Sequence, residues 1–236
     1  MTFRLIDRFA SAFSGKPYRH RDSSVGDAIA VQLYEDLLSL DRSPRFKERV
    51  VAGTAVVSRK NTRRGVSARR GDGSLGELIP GARSIPVPGF TVRSGEIATV
   101  EIGVEVKILA KAMIKQIDRV ITVLENQVSH FRRGGGNAIC VAIVGVNWSG
   151  QYTSYEGSRS FPTDGMKYLH PIQEAAKAEA RLEARVRSAF DEFLILRFEA
   201  TNEPPYTFQW VNPNSADLDY GAALTRIARE YERRFA

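Results

Sequence analysis

Cysteine is all but absent. Cys140 is the only one in 236 residues, which excludes an intrachain disulfide and a cysteine-based zinc site. It lies inside the apolar run 138–144 and so reads as a small buried core residue, not as a nucleophile. The chain also lacks any apolar run long enough to cross a bilayer. Its first residues carry Arg4, Asp7 and Arg8, which no signal-peptide core tolerates. There is no low-complexity tract and no internal repeat. These absences point to a globular protein of the cytoplasm, with a reduced thiol and no membrane partner.

What is present is a large apolar fraction, 43% of residues, and a net charge of +7. That length and apolar content suit one generous domain over 1–236. The positive charge is clustered. Arg59, Lys60, Arg63, Arg64, Arg69 and Arg70 fall in one short stretch with Gly and Ser between them, and Lys16, Arg19, His20 and Arg21 form a second knot. A solubilising loop would use the same charges, but their density favours a segment that wraps the phosphates of a nucleic acid.

The most informative stretch is 97–109, an apolar strand with charges at fixed places. Alternation puts Ile102, Val104, Val106 and Ile108 on one face and Glu101, Gly103, Glu105 and Lys107 on the other. Glu105 and Lys107 then stand about 6–7 Å apart at the backbone. A solvated ion pair would satisfy the same spacing. Charges within so apolar a strand nevertheless ask for a reason, because central strands are covered on both faces.

Periodicity predicts a helix from Val25 to Leu40 on Ile29, Leu33 and Leu37, with Glu35 and Asp36 beside the stripe. A strand is expected within 46–57 and a long Arg-rich loop over 61–76. A proline-marked segment ends in a strand at 89–93 that should form a hairpin with 97–109. A helix over 111–130 carrying Gln116 and an apolar strand over 138–147 follow. The segment 148–170 is polar and aromatic without a clear period. A helix from Pro171 to about Phe190, strands at 193–198 and 206–211, and a helix over 219–235 complete the chain.

This order, with Val104-Glu105-Val106-Lys107 on the third strand, resembles the core of the PD-(D/E)-x-K nuclease superfamily over 25–147. The resemblance implies an α/β, or α+β, restriction-endonuclease-like fold: a central mixed sheet flanked by helices, with 148–236 packed on the same sheet. It implies that Glu105 is a metal ligand, that Lys107 orients the attacking water, that Glu35 is the first-helix carboxylate and that Gln116 matches the glutamine some members carry. The Pro-Asp acid is missing: 79–92, which includes Pro86-Val87-Pro88-Gly89, contains no carboxylate. Glu77 is the first substitute, as a second metal ligand with Glu105. Asp72 ranks behind it, and Glu101 shares the face but lies about 13 Å along the strand from Glu105.

The function expected is a Mg²⁺-dependent endodeoxyribonuclease of restriction or defence type, with Mn²⁺ as a substitute ion and no organic cofactor. Its partner is DNA, and cutting both strands of a duplex would be served by a homodimer. The competing expectation is a nuclease fold that binds nucleic acid without cutting it. A third is an interaction protein whose Arg-rich loop meets an acidic partner.

Overall fold

A computed structural model of the chain describes residues 3–20, 22, 24–58, 72–133, 136–156, 158–166 and 169–235, and the backbone alone of 62–63 and 66–67. Its centre is a six-stranded mixed sheet. In chain order the strands are β1 (Ala55–Ser58), β2 (Thr62–Arg63), β3 (Val66–Ser67), β4 (Gly73–Leu78), β5 (Ile97–Leu109), β6 (Ile139–Asn147), β7 (Tyr152–Glu156), β8 (Arg159–Thr163), β9 (Glu192–Glu199) and β10 (Gln209–Trp210). The sheet order is β1-β4-β5-β6-β9-β10, and β2–β3 and β7–β8 form separate hairpins. Pairing is antiparallel from β1 through β4 to β5, parallel from β5 through β6 to β9, and antiparallel again at β10.

Helices cover both faces. On one side α1 (Arg4–Ser11), α2 (Ser24–Leu40), α3 (Pro44–Val51) and α6 (Pro213–Arg234) bury Phe9, Leu33, Phe46 and Leu224 against Val104, Val141 and Leu196 of the sheet. On the other, α4 (Met113–Phe131) and α5 (Pro171–Arg185) bury Ile117, Leu124 and Leu182 against Cys140, Ala142 and Val144. Every residue of β6 is buried, which is why this strand reads as continuous apolar sequence and not as an alternation. Each fully buried Leu or Ile contributes roughly 1.5–3 kcal/mol, so the two apolar layers supply the main stabilisation. No helix among the described residues is long and apolar enough to cross a membrane.

Several elements differ from expectation, each for a local reason. Residues up to Val51 are helical because Ser43 accepts a hydrogen bond from the Phe46 amide, with Pro44 in the first turn, so only 55–58 is strand. This is a strong helix start. The expected loop over 61–76 gives up its end to β4, and β4, not 89–93, is the antiparallel partner of β5. The proline-marked segment is instead a connection held by isolated bridges, Val57 to Ser94 and Ile85 to Ser94. Residues 148–170 contain the β7–β8 hairpin, the strand expected at 206–211 shrinks to β10, and α6 starts at Pro213 behind an Asn212 cap.

β5 is irregular in its first half. Leu75 faces Ile102 but Gly76 faces Val100, and Glu77 faces Thr99 but Leu78 faces Ile97, so Glu101 and Ala98 are extra residues in the ladder. Such bulges re-aim side chains. Beyond them the pairing is regular, and Gly103 lies under the Phe131 ring of α4, where a Cβ would stand 2.4 Å from the ring.

Gly103→Ala is therefore expected to destabilise the protein by about 1–3 kcal/mol, the usual cost of overpacking, measured as a lower midpoint in urea. An unchanged midpoint would contradict this packing.

Candidate functional site

Register builds the site. Gly73 of β4 stands opposite Val104 of β5, so Asp72, one residue before β4 begins, falls beside Glu105. Past Val104, β5 continues without β4, and a strand edge without a partner leaves main-chain donors to be satisfied. Asp72 meets one of them: its Oδ2 accepts from the Val106 amide at 2.8 Å. The carboxylate also rests on α2, where Gly26 has no side chain. A Cβ there would stand 3.0 Å from Asp72 Cγ.

Lys107 completes a triad. Its ammonium donates to Glu105 Oε1 and, at 3.2 Å, to the Val106 carbonyl, and it lies 3.8 Å from Asp72 Oδ2. Glu105 is buried, and its other oxygen, Oε2, is buried without a hydrogen-bond partner. Burial, reinforced by the Asp72 charge and opposed by Lys107, pushes the Glu105 carboxyl up to about 7.

Other buried acids are satisfied. Asp36 accepts from the Arg4 and Leu5 amides and from the Tyr220 hydroxyl, and Glu192 takes two bonds from Arg226. Among the described residues, Glu105 Oε2 is the only buried carboxylate oxygen left without a partner.

The remaining sequence candidates lie elsewhere. Glu77 is exposed and pairs with Thr99 and Ala55, five residues along β4 from Asp72 and so roughly 17 Å away at strand rise. Its charge acts on Arg49 and Glu101, not on Glu105. Glu35 is a structural tie: its Oε1 accepts from the Thr91 and Val92 amides at 2.8 and 2.7 Å, and its Oε2 lies 3.5 Å from Arg4. Gln116 donates to the Lys111 carbonyl at 2.9 Å, which fastens the turn after β5 to α4. Glu101 does not share the Glu105 face. The bulge turns it to the α3–α6 side, where Arg49 reaches it at 2.6 Å and Tyr231 donates to it. Arg59, Lys60, Arg64, Arg69 and Arg70 lie outside the described residues. Only the backbone of Arg63 is described, in β2, a hairpin strand that lies against β5.

The structure puts Asp72, ranked behind Glu77 on sequence, at the site, and it adds a feature the sequence does not show. Asp72 had a visible signal, an acid between Gly71 and Gly73 just ahead of a short strand. The added feature is a cavity of about 550 Å³ between the N-terminal half of α2, the end of β1 and Phe90, with Asp27 and Asp72 in its wall. Its residues are far apart in sequence and carry no motif.

Asp72 and Glu105 together offer a hard cation carboxylate oxygens. No third His, Cys, Asp or Glu joins such a cluster among the described residues, so water or substrate oxygens would fill the other positions of a Mg²⁺ shell. The orphaned Glu105 oxygen fits such an ion.

The Glu105 shift has a sign that can be tested. Its folded value, about 7, lies above the ordinary 4.5, so between these values the folded state holds a proton that the unfolded chain has released. The stability this contributes is full below about 4.5 and is lost as pH rises through about 7. Urea midpoints measured across that window should fall for the wild type and fall less for Glu105→Gln; parallel curves would contradict the assignment.

No family model, no curated protein and no solved structure matches the chain, so the functional reading rests on these residues themselves.

Proposed function

We propose that the chain is a metal-dependent endodeoxyribonuclease that hydrolyses DNA phosphodiester bonds, of restriction or defence type, using Mg²⁺ or Mn²⁺. The observation that carries this reading is the buried, unpartnered Oε2 of Glu105 beside Asp72 and Lys107. Leaving a buried acceptor unmade costs about 1–3 kcal/mol, more when it is charged. A site that tolerates this loss is poised for a ligand, and two neighbouring carboxylates select a cation.

Asp72 and Glu105 would hold the ion. When bound, it lowers the pKa of a coordinated water and stabilises charge on the phosphate. Lys107 sits beside both acids and orients the attacking water, its ammonium giving a hydrogen bond that fixes the lone pair toward phosphorus. The Arg59–Arg70 stretch joins Ser58 and Asp72, both in the wall of the cavity, and would bring phosphate-binding charge to the site.

The fold also supports the reading: a mixed sheet flanked by helices, with Glu105 and Lys107 on a strand followed by α4 and then β6, agrees with what the PD-(D/E)-x-K resemblance implies, with β4 in place of the expected proline-marked strand. Asp72 takes the place of the Pro-Asp acid, with Gly71 where proline would stand. The alternative of a non-cutting binding protein rests on the lack of an acid in 79–92, and Asp72, just ahead of β4, supplies one from earlier in the chain.

Nicking of supercoiled plasmid should require Mg²⁺ or Mn²⁺, stop in EDTA, and fall about 10²–10⁴-fold in Lys107→Ala with DNA binding retained. Asp72→Ala and Glu105→Ala should lose it, and Glu77→Ala should keep it. Cleavage indifferent to metal, or to Asp72 and Glu105, would sink the proposal. DNA affinity should fall steeply with added salt.

A further inference from the structure

We infer that the cavity beside Asp72 is a binding site for a single unpaired nucleobase, stacked on Phe90 next to the phosphate to be cut. The inference rests on the nuclease reading for its choice of substrate.

Its volume, about 550 Å³, is that of an ordinary small-molecule site. The walls combine Val31 and Val57 with the half-buried Phe90 ring, a surface suited to the flat apolar face of a base, since every base offers a π-face to an aromatic side chain. Around this platform stand groups of both hydrogen-bonding kinds. Arg8 donates only, Asp27 accepts, and Gln32 does both while using one amide N–H on the Ala28 carbonyl at 3.3 Å. A base edge carries donors and acceptors side by side and needs such a mixture.

The apolar side chains Val31, Val57 and Phe90 in the wall favour a base over a phosphate as the occupant. Position argues for a base adjoining the cut. Asp72 belongs to the cavity wall and, through the Val106 amide and Lys107, to the acid cluster. The two sites thus share one carboxylate, which would set an occupant of the cavity next to the acid cluster. A base stacked in a duplex cannot enter, so the nucleotide is frayed, flipped or single-stranded when it binds.

The test needs no cleavage. Binding of deoxyadenosine, dAMP and inorganic phosphate to the full chain in EDTA is measured by ligand-detected NMR and calorimetry, for the wild type, Phe90→Ala and Gln32→Ala, with melting curves confirming that each variant is folded. Deoxyadenosine and dAMP should compete for one site, phosphate should not displace them, and Phe90→Ala should weaken both about tenfold. No nucleoside binding by the wild type, equal binding by both folded variants, or displacement by phosphate alone would overturn the inference. Nucleoside binding without nicking would support the pocket and defeat only the nuclease reading. Nicking without nucleoside binding would do the reverse.

Discussion

The hydrogen bond from the Val106 amide to Asp72 is the contact on which the candidate site depends. β4 begins one residue too late to continue the ladder, and a side chain takes over where the main chain stops. That substitution fixes an acid in the plane of the sheet at the point where β5 runs on past the start of β4. The β4–β5 register brings Asp72 to Glu105 and Lys107 there, and the cavity borrows the same carboxylate for its wall.

The rest of the molecule treats buried charge conservatively. Asp36 ties α1 and α6 to α2, Glu101 ties β5 to α3 and α6, and Glu192 is held by Arg226 of α6. Each acid is surrounded by donors, so each acts as a polar rivet between apolar layers. Glu105 departs from this pattern. The stability forgone there is offset by the two apolar layers that clamp the sheet, and natural sites commonly trade stability for function in this way.

Much of this was legible in the sequence. β5, β6, α2 and α4 announced themselves because their apolar periods are long and unbroken, and Glu105 and Lys107 were visible as charges that such a strand should not carry. β4 was not legible: Gly73-Ser-Leu-Gly-Glu-Leu78 is short, has two glycines, and owes its strand conformation to non-local partners on both sides. The prolines at 80, 86 and 88 drew the strand assignment downstream, and the missing acid was sought there. Glu35 lies beside the α2 stripe as expected, but the amides of Thr91 and Val92 claim its carboxylate, and no local pattern reveals a partner more than fifty residues away.

The two extra residues in the first half of β5 carry a further meaning. A regular ladder is rigid in register, so any change of length at one end is passed to the other and turns every side chain over. Ala98 and Glu101 interrupt that transmission. They work as slack between the end of the strand that anchors α3 and α6 and the end that carries Glu105 and Lys107. The anchoring end can thus gain or lose a residue while the alignment of Asp72 with Val106 stays where it is.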